Sequence, residues 1–238
     1  MTAVSAPLDS FPGLDPSWRR AHLVGIGGVG MSAIARVLTE GGRQVSGSDL
    51  RESAVLAALR ALSIRVGIGH RADRVEGADV VIASAAVPEE NVELAAARAA
   101  GIPCLARGDA LARIVQGRRT VAVSGTHGKT TTSGMIATVL EASGRAPTWL
   151  LGADLAHGGP GGRMGSGALA VVEADEAYGS FLWLEPELAV VTNVDVDHLD
   201  HYGSMQALQD AFERFVSRAG AAAVCIDDPR AASLVSRG

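Results

Sequence analysis

The chain has 238 residues, 47% hydrophobic and 20% charged, which is enough for one large or two small domains and too ordinary for a disordered or fibrous protein. Twenty-six acids against 21 bases give a formal charge of -5, and no basic run exceeds Arg118-Arg119, so no nucleic-acid or anionic-membrane surface is expected. No apolar run approaches ~18 residues, which argues against membrane insertion. Cys104 and Cys225 stand apart in no ligand spacing, as in a reduced cytoplasmic chain. With 29 glycines and 41 alanines, the composition suits the tight turns and close helix-sheet contacts of an α/β protein.

Residues 1–20, with Pro7, Pro12, Gly13 and Pro16, read as an irregular lead-in. Short apolar runs then alternate with helical stretches: His22-Ile26, a helix from about Gly28 to Thr39, Gln44-Gly47, a helix around Glu52-Leu62, Val80-Ala83, a helix over Asn91-Ala100, and Leu111-Val115. Strands separated by helices imply parallel pairing. The polar stretch Gln116-Arg119 marks a domain boundary near 117. A second α/β unit begins with the strand Thr120-Ser124 and a helix over Thr130-Ala142. Apolar runs follow at Thr148-Leu151, Leu169-Val172, Leu188-Val191 and Ala222-Ile226, with a Gly-rich loop at 157–167 and a helix over Met205-Arg218. The expected organisation is thus a lead-in, a domain over 21–117 and another over 118–238.

Gly25-Ile-Gly-Gly-Val-Gly30 fits G-x-G-x-x-G between a strand and a helix, and Asp49 lies 19 residues beyond the last glycine at the tip of the next strand. Such glycines let a diphosphate approach backbone N–H groups at a helix N-terminus, and the acid can accept ribose hydroxyls. NAD(P), another nucleotide and a purely structural turn all satisfy this pattern. The second loop, Ser124-Gly-Thr-His-Gly-Lys-Thr-Thr-Thr132, carries the Gly-Lys-Thr end of a phosphate loop, where a lysine and a hydroxyl hold phosphates and magnesium. Val123 stands where the full Walker pattern has glycine, so the loop is a shortened variant. Lys129 is the only lysine in the sequence; every other basic residue is arginine. Glu173 and Asp197-His198, each following an apolar run, are the acidic and imidazole candidates beside that loop.

In combination, His22–Ser32, Val45–Leu50, Gly125–Thr132, Glu173-Ala-Asp-Glu176 with Gly179–Leu182, and Val191–Asp200 resemble the Mur ligases, ATP-dependent amide-forming enzymes of peptidoglycan synthesis. The resemblance implies a Rossmann-like UDP-binding domain followed by a P-loop-type, doubly wound ATP-binding domain, truncated relative to the family. It also implies UDP contacts from Gly27, Gly28, Val29, Gly30, Ser48, Asp49, His70, Ser84 and Arg107. ATP contacts are implied for Gly125, Thr126, His127, Gly128, Lys129, Thr130 and Thr131, with Mg2+ at Thr130, Glu173 and His198, and catalytic roles for Lys129, Glu173 and His198. The implied reaction joins L-alanine to the lactyl carboxylate of UDP-N-acetylmuramate through an acyl phosphate. A relative adding a recycled peptide, a non-catalytic nucleotide-binding descendant and, from the first loop alone, a nicotinamide oxidoreductase are the alternatives. Ala177-Tyr178 replace the family's usual Ser-Asp, and no lysine follows 129 to serve as the carbamylated residue of several relatives. The chain is also shorter than the three-domain family pattern, so it reads as a fragment with weak or no turnover.

Overall fold

The computed structural model describes residues 11–156, 158–197 and 199–235. The chain divides into two compact units, the first running to Gly117 and taking in Ala156–Met164, the second comprising Arg118–Leu155 and Gly165 onward.

The first unit contains β1 (Arg20–Val24), α1 (Val29–Glu40), β2 (Gln44–Asp49), α2 (Ala54–Ala61), β3 (Arg65–Ile68), β4 (Val80–Ala83), α3 (Val92–Ala99), β5 (Cys104–Ala106) and α4 (Arg107–Val115). The sheet order is β3-β2-β1-β4-β5, all parallel. The order reverses beside β1, so the crevice at the carboxyl ends of β1 and β4 is where a doubly wound sheet opens to a ligand. Apolar residues of β1, β4 and α3 (Val24, Val81, Leu94, Ala97) close one face.

Several details differ from expectation. Leu111–Val115 is the end of helix α4: Ala110, Leu111, Ile114 and Val115 are the buried set, and the spacing is that of a helical face. Strand β3 carries no clear sequence signal, its Arg-Val-Gly-Ile stretch being short and half-exposed at the sheet edge, and β5 has only three residues. Strand β1 ends two residues early, since the N–H groups of Gly25 and Ile26 both turn to the Ser48 carbonyl. The lead-in is anchored where described: Phe11 is buried, the Arg43 guanidinium sits 6.0 Å from its ring centroid, and Arg43 Nη1 donates to the Trp18 carbonyl at 2.6 Å.

The second unit contains β6 (Arg119–Ser124), α5 (Lys129–Ala142) and β7 (Thr148–Leu150). The chain then contributes 156–164 to the first unit, including the two-residue strand β8 (Gly162–Arg163) against α1. It continues with β9 (Leu169–Glu173), a 3-10 turn (Ala177–Trp183), β10 (Leu188–Val191), α6 (Leu199–Tyr202), α7 (Met205–Ser217), β11 (Ala221–Val224) and α8 (Pro229–Ser233). The parallel strands follow the order β11-β10-β6-β9-β7, with β6 at the centre. Helix α5 buries only Ser133 and Ala137, whose small side chains permit close approach to the sheet; Ala137 joins Trp149, Leu151 and Val171 in one cluster. On the α7 side, Phe181 packs against Phe212 and Phe215, with ring centroids 5.2 and 5.0 Å apart and all three rings fully buried. Among the described residues no helix is long and apolar enough to cross a membrane.

Removing a ring from the aromatic cluster leaves a cavity that fixed backbone cannot fill. Phe212→Ala is expected to lower stability by ~3–5 kcal/mol, read as a drop in the urea midpoint with unchanged slope.

Candidate functional site

Both glycine loops leave the carboxyl end of a central strand and open a helix. In the second unit β6 passes through Gly125–Gly128 into α5. Gly125 has φ +131°, and a Cβ there would lie 2.1 Å from Thr192 Oγ1 and 2.9 Å from the Asn193 carbonyl oxygen, so only glycine fits. That crowding comes from a clamp supplied by the segment after β10. The Thr126 N–H donates to the Asn193 carbonyl at 3.1 Å and the Asp195 N–H to Thr126 Oγ1 at 2.8 Å. The Asn193 amide brackets His127, accepting its N–H and donating to its carbonyl, both at 2.9 Å.

Lys129, the first residue of α5, turns its ammonium back into the loop. Nζ donates to the Gly125 carbonyl at 2.8 Å and to both carboxylate oxygens of Glu176 at 3.0 and 2.9 Å. The side chains are 14% and 1% exposed. Burial pushes the Glu176 carboxyl above its ordinary range, with the Lys129 charge pulling in the opposite direction. Tyr202 donates its hydroxyl to the Glu176 carbonyl at 2.6 Å, and burial, helped by the Glu176 charge, pushes that phenol up to about 12. Glu173, beside Val123 in the sheet register, accepts the Gly152 N–H at 2.9 Å.

In the first unit the loop folds back on the end of β2. The Ser48 carbonyl accepts from Gly25 and Ile26 at 2.9 and 3.0 Å, and Asp49 Oδ2 accepts from Gly27 at 2.8 Å. A Cβ on Gly27 would meet that same Oδ2 at 2.8 Å, which makes the glycine a condition of the contact. Asp49 Oδ1 accepts the Leu50 N–H at 2.7 Å, so this acid shapes the loop with both oxygens. Gly28 and Val29 are exposed at the start of α1, Arg107 reaches to Gly30, and Ser84 packs beside Gly25. Ser48 and His70 behave differently from their neighbours. The Ser48 side chain is fully buried, donating to Glu93, and His70 Nδ1 lies 2.9 Å from Ser48 Oγ and 3.2 Å from Glu93 Oε2. Burial opposes charge on Glu93, yet the His22 imidazole and the Ser48 hydroxyl outweigh it and hold the carboxyl at about 2.

Of the residues singled out in the sequence, Gly125, Thr126, His127, Gly128 and Lys129 form one loop, while Thr130 and Thr131 continue it into the first turn of α5. Glu173 stands at the adjacent strand end but faces Gly152, and the partner of Lys129 is Glu176. His198 and the side chain of Tyr178 lie outside the described residues. Glu176, Thr192, Asn193, Asp195 and Glu93 were missed as site-shaping groups; the first four lie inside quoted motifs, whereas Glu93 has no local signal. Among the described residues no group of three or more His, Cys, Asp or Glu side chains could hold a metal ion. The hydroxyl of Thr130 and carboxylate of Glu173 are nonetheless the hard oxygen donors that Mg2+ takes when phosphates complete its shell.

Residues 20–119 match the family model described as Mur ligase family, catalytic domain, and residues 123–237 match the Mur ligase middle domain. The chain belongs to the Mur ligase family, of which it carries the N-terminal and middle domains. It is 48% identical over 222 residues to the UDP-N-acetylmuramate--L-alanine ligase of Sorangium cellulosum, covering 92% of this chain and 47% of that protein. The chain thus spans about half the length of the curated relatives it matches. Among solved structures it resembles the UDP-N-acetylmuramate-alanine ligase MurC of Thermotoga maritima, with TM-score 0.82 and 35% identity over 90% of this chain and 51% of that one. It also resembles the UDP-N-acetylmuramate:L-alanyl-gamma-D-glutamyl-meso-diaminopimelate ligase of Neisseria meningitides, with TM-score 0.84 and 27% identity over 92% and 75% of the two chains.

Two outcomes follow from the loop geometry. Gly125→Ala forces a side chain into a left-handed backbone and against Thr192, and should cost more than ~2 kcal/mol, read by urea unfolding. Glu93 is held at about 2 against an ordinary 4.5, so its contribution to stability is complete above pH 4.5 and is lost as the pH falls toward 2. In Glu93→Gln, acid unfolding followed by circular dichroism should show a shallower loss across that window than the unaltered chain.

Proposed function

We propose that the two units are the UDP-sugar-binding and ATP-binding parts of a cytoplasmic, ADP-forming ligase that joins L-alanine to the lactyl carboxylate of UDP-N-acetylmuramate in peptidoglycan synthesis. The observation that carries this reading is the seating of Lys129, the only lysine, at the mouth of a glycine loop that opens a helix, in a chain 48% identical to alanine-adding ligases across both loops. A helix N-terminus and a lysine together make an anion site, and two carbonyls and a carboxylate are the acceptors that an incoming phosphate would relieve.

In this reading the N–H groups of Gly27–Gly30 face the UDP diphosphate, and Asp49, Ser84 and Arg107 flank it. His127, Gly128, Thr130 and Thr131 line the ATP phosphates. The sugar carboxylate attacks the γ-phosphorus, ADP leaves, and the alanine amine then displaces phosphate from the acyl carbon. Lys129 offsets the charge gathering on the transferred oxygens, so the chain contributes positioning and electrostatics and needs no protein nucleophile. Mg2+, held by Thr130, Glu173 and His198, would supply further charge compensation at those oxygens. The likeness to the Neisseria meningitides ligase supports a second reading, in which a peptide takes the place of L-alanine on the same UDP-sugar.

Calorimetric titration tests the reading. UDP-N-acetylmuramate should bind the unaltered chain, and ATP with Mg2+ should bind at a separate site. Lys129→Ala should weaken ATP ~10- to 100-fold, the equivalent of one charged hydrogen bond, while leaving UDP-sugar affinity in place. UDP-sugar binding without ATP binding would instead favour a non-catalytic descendant, and NAD binding would overturn the assignment of the first loop.

A further inference from the structure

The first unit holds a buried polar cluster that the ligase chemistry does not use directly. Glu93 sits in the first turn of α3, which Asn91 caps by accepting from the Glu93 and Leu94 N–H groups at 2.9 and 3.4 Å. The carboxylate is fully buried. Its Oε1 accepts the Arg71 N–H at 3.2 Å, with Arg74 Nε at 3.8 Å. Three groups converge on Oε2: the Ser48 hydroxyl, His70 Nδ1 at 3.2 Å and, farther away, His22 Nε2 at 3.6 Å.

An ionised carboxylate only accepts, so groups meeting it must donate. The single proton of the Ser48 hydroxyl goes to Glu93. Toward His70 Nδ1, 2.9 Å away, Ser48 Oγ can therefore act only as an acceptor, and both neighbours of Nδ1 demand a proton on that nitrogen. A neutral imidazole protonated at Nδ1 carries its lone pair on Nε2. The His70 side chain is 13% exposed where Glu93 is closed off, so the ring, like the 25% exposed Arg74, carries the cluster to the surface. It does so at the ligand end of the sheet: the N–H of Gly69 donates to the Asp49 carbonyl at 2.8 Å, and Asp49 in turn fixes the glycine loop through Gly27.

We propose that Glu93 is a positioning residue of the nucleotide site, which through Ser48 and Nδ1 locks His70 in the tautomer that offers Nε2 as a hydrogen-bond acceptor to the bound UDP moiety. This rests on the reading of the first unit as UDP-binding. The Glu93→Gln change inverts the donor pattern without altering size. With its oxygen retained by the Arg71 N–H, the new amide nitrogen faces Ser48 and His70, donates to Nδ1 and moves the ring proton to Nε2.

Long-range 15N-edited NMR of the histidine side chains in the 238-residue chain, with His70 assigned from a His70→Gln sample, reads the tautomer directly. The expected result is the Nδ1–H form in the unaltered chain, a shift toward Nε2–H in Glu93→Gln, and UDP affinity ~10-fold weaker in that variant by calorimetry, about one hydrogen bond. An Nε2–H form in the unaltered chain overturns the proposal, as does a Glu93→Gln variant that folds with tautomer and UDP affinity unchanged. Should the variant fail to fold, the tautomer of the unaltered chain alone decides. Absence of UDP binding by the unaltered chain would overturn the nucleotide reading itself, a result separable from the tautomer.

Discussion

An ammonium and a carboxylate taken out of water must find every hydrogen bond within the protein, and the second unit is arranged around meeting that demand for Lys129 and Glu176. The loop carbonyls of Gly125 and Thr126 and both oxygens of Glu176 fill the shell of Nζ. For those carbonyls to point inward the chain must leave β6 through a left-handed glycine, pressed against the segment that follows β10. Tyr202 holds the Glu176 backbone from the other side. The central position of β6, with β9 and β10 on its two flanks, brings all three contributors to one strand end.

The first unit solves a related problem with the opposite charge. Its loop carries no lysine; it is tied down by acceptors on β2, the Ser48 carbonyl and the Asp49 carboxylate, which take up backbone N–H groups of Gly25, Ile26 and Gly27. Beneath it Glu93 takes three donors from two segments at once, Ser48 on β2 and the adjacent His70 and Arg71 after β3. Both units therefore orient a glycine loop by saturating acidic or carbonyl oxygens, but one leaves a cation at the loop and the other leaves an imidazole.

What the sequence made legible was local. A glycine turn between an apolar run and a helix is readable because the spacing itself encodes the geometry, as with Gly25–Gly30 and Gly125–Lys129. The interior strands β4 and β10 are readable because they are continuous apolar runs, whereas β3 and β5 are short edge strands without a clear period. Helix α4 is ambiguous in the sequence because a window of five residues cannot separate a buried helical face from a strand. The pairings that orient the side chains were illegible: Ser48 meets Glu93 across 45 positions and Lys129 meets Glu176 across 47. Nothing in Val-Glu-Leu-Ala marks Glu93 as a residue turned toward the sheet; only the Asn91 cap, which sets the helix phase, hints at it.

The restriction of the sequence to a single ε-amine has a chemical consequence. An acylating or aldehyde reagent directed at lysine has one side-chain target in these 238 residues, and that target is the loop cation. Its Nζ is held by both carboxylate oxygens of Glu176, so the modification rate is a built-in reporter of whether Lys129 is paired with its own protein or with something else.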